Sequence, residues 1–170
     1  MKLLAVYGTV LKLTVLKDEV RKAELSIINP MNIYLDIDGV LSTRYHQPAN
    51  HVHEFLKFVT ERYPDTTYWL TTHCKGNAAA TLEQIGYLFD APTQELMKKI
   101  KATDWDVSKT EAIDFATPFL WFDDQCLDFE KSILKQHGAL DNWIKVDLIK
   151  NENQLLDFIH HFPLPVDSHE

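Results

Sequence analysis

Cysteine is scarce in this chain: two among 170 residues, Cys74 and Cys126, far apart and without metal-finger spacing. That argues against a disulfide framework and fits a reducing, cytoplasmic setting, where such thiols are ordinarily buried and inert. Positive charge is also in short supply. Lys and Arg number 17 against 25 Asp and Glu, a formal net charge of -8, which disfavours broad attraction to nucleic acid or an anionic membrane and leaves room only for a small basic groove. No long hydrophobic run is present. The apolar opening stretch 3–16 is interrupted by Lys12, is followed by no small-residue cleavage pattern and is too short to cross a bilayer, so neither a signal peptide nor a membrane span is expected. Internal repeats, low-complexity tracts and linkers are missing too, and with them any sign of a second domain.

What is present is an alternation of strands and helices, with a 45% hydrophobic composition that can fill a sizeable core. Apolar, β-branched or aromatic runs predict strands over 32–36, 67–72, 118–124 and 143–148, with a short one around Tyr87 to Phe89. Between them, Val52, Phe55, Leu56 and Val59 recur at helical spacing after Asn50, a good N-cap. Further helices are expected from about residue 77 to Gly86, after Pro92 and Thr93, after Ser108, over 127–138 with Gly138 closing, and over 152–162 before a Pro-rich acidic tail. The alternation predicts an α/β fold: a Rossmann-like three-layer sandwich with a mainly parallel five-stranded sheet. Residues 1–30 read as an accessory N-terminal β-hairpin or as a non-native extension, because Met31 stands immediately before the first strand and residues 31–170 suffice for a domain.

Three of the predicted strands end in polar groups. Asp36 and Asp38 follow the first, Thr71 and Thr72 the second, Asp123 and Asp124 the fourth. In a parallel sheet these ends share one edge, where sites of such sheets lie. Four carboxylates on one rim repel one another unless a cation sits among them, and oxygen-only ligands suit a hard ion such as Mg²⁺. Lys109 lies 14 residues before Asp123, at the start of a short helix beside the same rim, where its charge would neutralise a bound phosphoryl group. Thr71 offers a hydroxyl, and the backbone N–H groups of Ile37 and Thr72 can cradle phosphate oxygens.

The set Asp36-x-Asp38-Gly39, Thr71 at the end of YWLT, Lys109 in SKTEAI and Asp123-Asp124 closing FLWFDD resembles the four ordered motifs of the haloacid dehalogenase-like superfamily, over about residues 31–148. The resemblance implies a Mg²⁺-dependent phosphomonoester hydrolase. In it Asp36 is the nucleophile that forms an aspartyl-phosphate, and Asp38 is the general acid and base, with its main-chain carbonyl on the metal. Thr71 and Lys109 match phosphate-binding positions, Asp123 the remaining metal ligand, and Asp124 a ligand through water or a partner that supports the ligands. The second Asp of the first motif marks the phosphatases of the family. Thirty-five residues separate Asp36 from Thr71 and 38 separate Thr71 from Lys109, too few for an inserted cap domain, so the resemblance is to a capless member with an open site.

Other residues cluster near these motifs. Arg44, Tyr45 and His46 follow the first motif closely, where the family carries a mobile flap, and with His73 they are candidate substrate contacts. His51 and His53 form an HxH pair better read as a solvated helix start than as a soft-metal site. Trp69 and Trp121 fall inside strands and are assigned to the core; packing is also the better reading of Trp105. The expected partner is a phosphorylated substrate of open identity, with no membrane, nucleic acid disfavoured by charge, and homo-oligomerisation left open. Two rival readings are a nucleic-acid end phosphatase and a phosphate-binding module that kept the fold without the chemistry; a DxD nuclease is weaker because no matching Glu ends a strand.

Overall fold

The structure, a computed structural model, describes residues 31–162; the expected N-terminal hairpin or extension and the closing tail lie outside them. Four strands form a parallel sheet in the order β2-β1-β3-β4, with β1 at Asn32–Leu35, β2 at Thr67–Trp69, β3 at Phe119–Asp123 and β4 at Trp143–Lys145. Five α-helices accompany them among the described residues: α1 (Val52–Arg62), α2 (Ala78–Ile85), α3 (Ala91–Met97), α4 (Asp128–Gln136) and α5 (Gln154–His160). None is long and apolar enough to cross a membrane.

Strand β1 is central and all four of its residues are buried, because successive side chains point to opposite faces and both faces are covered. Ile33 and Leu35 join Trp69, Leu120 and Phe122 in one cluster, closed by Phe55, Leu56 and Val59 of α1, Met97 of α3 and Leu155 of α5. Tyr34 points the other way, into a second cluster with Phe119, Trp121 and Leu134 of α4. The predicted α1 stripe is therefore real: Val52, Phe55, Leu56 and Val59 are all buried. Phe55 and Phe122 meet edge to face at 5.4 Å, and truncating such a buried ring to Ala costs about 3–5 kcal/mol.

The α/β class and the parallel sheet agree with the alternation, but the sheet has four strands where five were expected. The segment Gly86–Leu88 is a 3₁₀ turn. The Gln94 side chain donates to the Gly86 and Phe89 carbonyls, 2.9 Å each, so those acceptors are taken and a ladder cannot use them. The edge next to β2 is instead met by a single residue, Lys101, whose N–H donates to the Thr67 carbonyl (2.9 Å) and whose carbonyl accepts from the Trp69 N–H (2.8 Å).

Two smaller expectations also change. Asn50 is not the cap of α1: His51 holds that position in the left-handed region (φ 61°) with no side-chain cap, and the Asn50 amide reaches Asn153 at 3.4 Å. The helix expected after Ser108 is only a 3₁₀ turn, Lys109–Ala112, opened by a Ser108–Glu111 capping box. It stops because Asp114 draws the chain into a turn, accepting from the Ala116 N–H (2.9 Å) and the Thr117 hydroxyl (2.7 Å). Cys74 and Cys126 are free and buried in different clusters, one on each face of the sheet.

Candidate active site

Strand register brings the polar ends together. Leu35 of β1 pairs with Phe122 of β3, the Asp36 N–H donates to the Phe122 carbonyl at 3.0 Å, and the Leu70 N–H donates to the Leu35 carbonyl at 2.8 Å. Asp36 thus stands level with the end of β3 and beside the chain that leads from β2 to Thr71. One carboxylate oxygen from each of Asp36, Asp123 and Asp124 lies within 4.8 Å of the others. Asp36 and Asp123 are buried, and Asp124 is exposed.

Lys109 reaches across this group. Its Nζ donates to Asp36 Oδ2 at 2.9 Å and to Asp123 Oδ2 at 2.6 Å. Burial opposes the lysine's charge, but the two carboxylates outweigh it and hold its pKa above the usual value. Asp123 is pushed up to about 7, first by burial and then by the Asp36 charge, against the pull of Lys109. Asp124 is raised as well, by its partly shielded position and again by Asp36. Asp123 is further pinned by the Trp121 indole N–H (2.9 Å to Oδ2) and the Gln125 N–H (3.0 Å to Oδ1).

Three carboxylates against one ammonium leave two negative charges when all are ionised. The donor set is oxygen only, and its compact span approaches the roughly 4.2 Å between opposite ligands of a cation bound at about 2.1 Å. Residues of this kind fit a small hard divalent ion such as Mg²⁺. Gly39 lets the first motif pass close to them: its φ is +75°, and a Cβ there would lie 2.5 Å from the Asp124 carboxylate, so no other residue fits without moving Asp124.

The remaining expected residues are spread around this group. Asp38 is exposed, its side chain 56% accessible, with Oδ2 taking the His73 Nε2–H at 2.8 Å and Oδ1 the Ser42 hydroxyl at 3.3 Å. Thr71 is fully buried and its hydroxyl accepts the His73 N–H at 3.4 Å, while Thr72 is exposed. The Ile37 N–H donates to Asp36 Oδ1 at 2.8 Å, so it orients that carboxylate. Arg44 and Tyr45 line a cavity of about 560 Å³ that begins at Gly39 and Asp124. His46 closes the same exposed turn at φ 54°, its N–H on the Thr43 carbonyl, and is not among the cavity's lining residues. Trp105 is half-buried against the second cluster, with the Lys75 ammonium 4.0 Å from its ring centre.

Two contributors escaped the sequence reading. Glu130, only 3% exposed, accepts the Lys109 N–H (3.1 Å), the Leu127 N–H (2.9 Å) and the Ser108 hydroxyl (3.4 Å); it fixes the turn from which Lys109 extends. A buried acid three residues after a helix start is a recognisable signal, but Leu127 at that start hides it. Trp121 was assigned to packing alone, and its polar edge serves Asp123. No protein-family model, curated protein or solved structure matches this chain.

Proposed function

We propose that the chain is a capless, Rossmann-like member of the haloacid dehalogenase-like superfamily that hydrolyses phosphomonoesters with Mg²⁺. The observation that carries this reading is the convergence of Asp36, Asp123, Asp124 and Lys109 at the carboxyl ends of adjacent parallel strands. Fold analogy alone would not suffice, since many chemistries share such sheets.

Asp36, Asp123 and Asp124, with the Asp38 carbonyl, would hold the ion, and bound Mg²⁺ supplies charge neutralisation and polarisation of the phosphoryl group. Asp36 is the nucleophile. The Ile37 N–H on Oδ1 and Lys109 on Oδ2 hold its carboxylate in one orientation at the strand tip. Its oxygen attacks phosphorus, and the bond from phosphorus to the ester oxygen breaks. Asp38 gives the departing oxygen its proton and then takes one from the water that attacks the aspartyl-phosphate, releasing inorganic phosphate and regenerating Asp36. His73 and Ser42 hold Asp38 from two sides while leaving it exposed. Lys109, within reach of Asp36, balances phosphoryl charge, and the buried Thr71 shapes the phosphate side of the site.

Hydrolysis of p-nitrophenyl phosphate with Mg²⁺ and with EDTA tests the reading, together with a panel of natural phosphomonoesters. Metal-dependent turnover that disappears in Asp36→Asn, with unfolding unchanged and a phosphoryl adduct trapped on Asp36 in the parent protein, is expected. A folded, Mg²⁺-binding protein that turns over nothing in the panel would instead be a phosphate-binding module.

A further inference from the structure

We infer that the cavity beside Asp124 is the leaving-group pocket and that it takes a nucleoside, so that the substrates are mononucleotides; this rests on the phosphatase reading. The cavity, about 560 Å³, starts at Gly39 and Asp124 and passes between the turn carrying Arg44 and Tyr45 and the segment from Lys145 to Glu152. Asp124 both lies with Asp36 in one carboxylate group and lines this cavity, so the cavity is the space adjoining Asp36 that can receive the alcohol of an ester whose phosphorus faces that residue. The volume is that of a small-molecule site.

Its walls combine two chemistries. Tyr45 and Ile149 are 68% and 74% exposed, two of four large apolar side chains at least two-thirds exposed among the described residues, and both line this cavity. The Tyr45 ring is held in place by its neighbour: the Arg44 guanidinium lies 4.7 Å from the ring centre and donates to the hydroxyl at 2.6 Å. The lining also carries a donor, Lys145, and two acceptors, Asp147 and Glu152. Lys145 and Glu152 belong to none of the ion pairs among the described residues.

Tyr45 and Ile149 give the lining two apolar surfaces, which a planar base covers more fully than a sugar does. An acyl or lipid alcohol would desolvate the lysine and the two carboxylates without replacing their hydrogen bonds. A nucleoside meets both demands, with a planar base that stacks on Tyr45 and ring edges and ribose hydroxyls that pair with the charged groups. Asp147, Glu152 and the net charge of -8 repel the further phosphates of a strand, which favours a free mononucleotide. The reaction takes nucleotide and water to nucleoside and orthophosphate: the phosphorus–oxygen ester bond breaks, and the nucleoside oxygen leaves with a proton from Asp38.

The test uses the full chain with Mg²⁺. The ratio kcat/KM is measured on AMP, GMP, CMP and UMP, on ribose 5-phosphate, on 5′- and 3′-phosphorylated oligonucleotides, and on acetyl phosphate, whose small leaving group does not reach the cavity. The best mononucleotide should exceed ribose 5-phosphate by roughly tenfold or more, and Tyr45→Ala should lower nucleotide kcat/KM roughly tenfold more than acetyl phosphate kcat/KM, as expected for losing one base stack. Ile149→Ser should shift the ratio in the same direction. Acetyl phosphate turnover without nucleotide preference, or equal losses on both substrates in Tyr45→Ala, overturns the pocket assignment and leaves the phosphatase reading standing. Faster turnover of oligonucleotide ends than of mononucleotides overturns it too. If acetyl phosphate is not hydrolysed, calorimetry of AMP binding to the Asp36→Asn protein decides: binding weakened roughly tenfold by Tyr45→Ala sustains the pocket, and no binding removes it.

Discussion

The main-chain N–H of Lys109 donates to the Glu130 carboxylate across 3.1 Å. One buried acid on α4 thereby sets where a cation on a separate turn begins its reach toward Asp36 and Asp123. Replacing Glu130 by Ala takes the acceptor from the part-buried N–H groups of Lys109 and Leu127, at about 1–3 kcal/mol each. Urea unfolding should show a loss of about 2–5 kcal/mol, and phosphatase turnover should fall even where the variant is fully folded. A loss under 0.5 kcal/mol would mean that water replaces the carboxylate and that Glu130 holds nothing.

Lys109 itself is the larger lever. In Lys109→Met, Asp36 and Asp123 remain buried side by side with no cation, and breaking such a buried pair costs about 3–5 kcal/mol. The cost should appear in EDTA at pH 8 and shrink when Mg²⁺ is added, since the ion supplies the missing positive charge. Equal destabilisation with and without Mg²⁺ would count against a cation site among these acids.

The raised Asp123 gives a pH dependence with a definite sign. Its carboxyl is pushed up to about 7 in the fold from the ordinary value of 3.8, so between those values the folded state keeps a proton that the unfolded chain has lost. Its contribution to stability is therefore greatest below about 4, declines as pH rises through that window and is flat above 7. Mg²⁺ competes for the same carboxylate. The melting temperature in Mg²⁺ minus that in EDTA should be near zero at pH 5 and reach its maximum above pH 7; a difference independent of pH from 5 to 8 would contradict the assignment.

Gly39→Ala probes the closeness of the first motif to the acids. A Cβ there meets the Asp124 carboxylate at 2.5 Å on a backbone of φ +75°, a strain of about 1–3 kcal/mol. Mg²⁺ affinity, followed by calorimetry, should weaken more than global stability does, because the group displaced is a proposed ligand. Unchanged affinity would place the ion elsewhere.

The two thiols should be silent in the native protein. Both are buried, and burial together with the Glu130 charge pushes Cys126 up to about 12, so at pH 7.4 it carries almost no thiolate. Reaction with a maleimide should be negligible until denaturant is added, when two equivalents react. Rapid native labelling would show that one face of the sheet opens readily.

Much of this site could be read before any coordinates. Asp36, Asp123 and Asp124 are legible from their places at strand ends and Lys109 from its place at the start of a short helical segment beside them, and a parallel sheet must gather such ends on one edge. The strand at Tyr87 to Phe89 misled because an aromatic, apolar tripeptide suits either state; a side chain from the next helix, Gln94, took the flanking carbonyls. The short helix at Ser108 failed for a similar reason, with Asp114 turning the chain after four residues. Glu130 and Trp121 stayed hidden because their partners come from other elements: Glu130 lies 21 residues from Lys109.

Composition, alternation and the order of the motif residues were enough to specify the class of fold, the edge that bears the acids and the identity of those acids, since these depend on local periodicity and on the direction of parallel strands. Tertiary structure decided the rest. It set how deeply Asp123 is buried and so why its pKa is raised, which cation lies between Asp36 and Asp123, which acid is exposed and paired with His73, and that a cavity with Tyr45 and Ile149 on its walls opens next to Asp124. Burial, proximity and cavity shape are properties of elements packed together, and no single segment of the chain contains them.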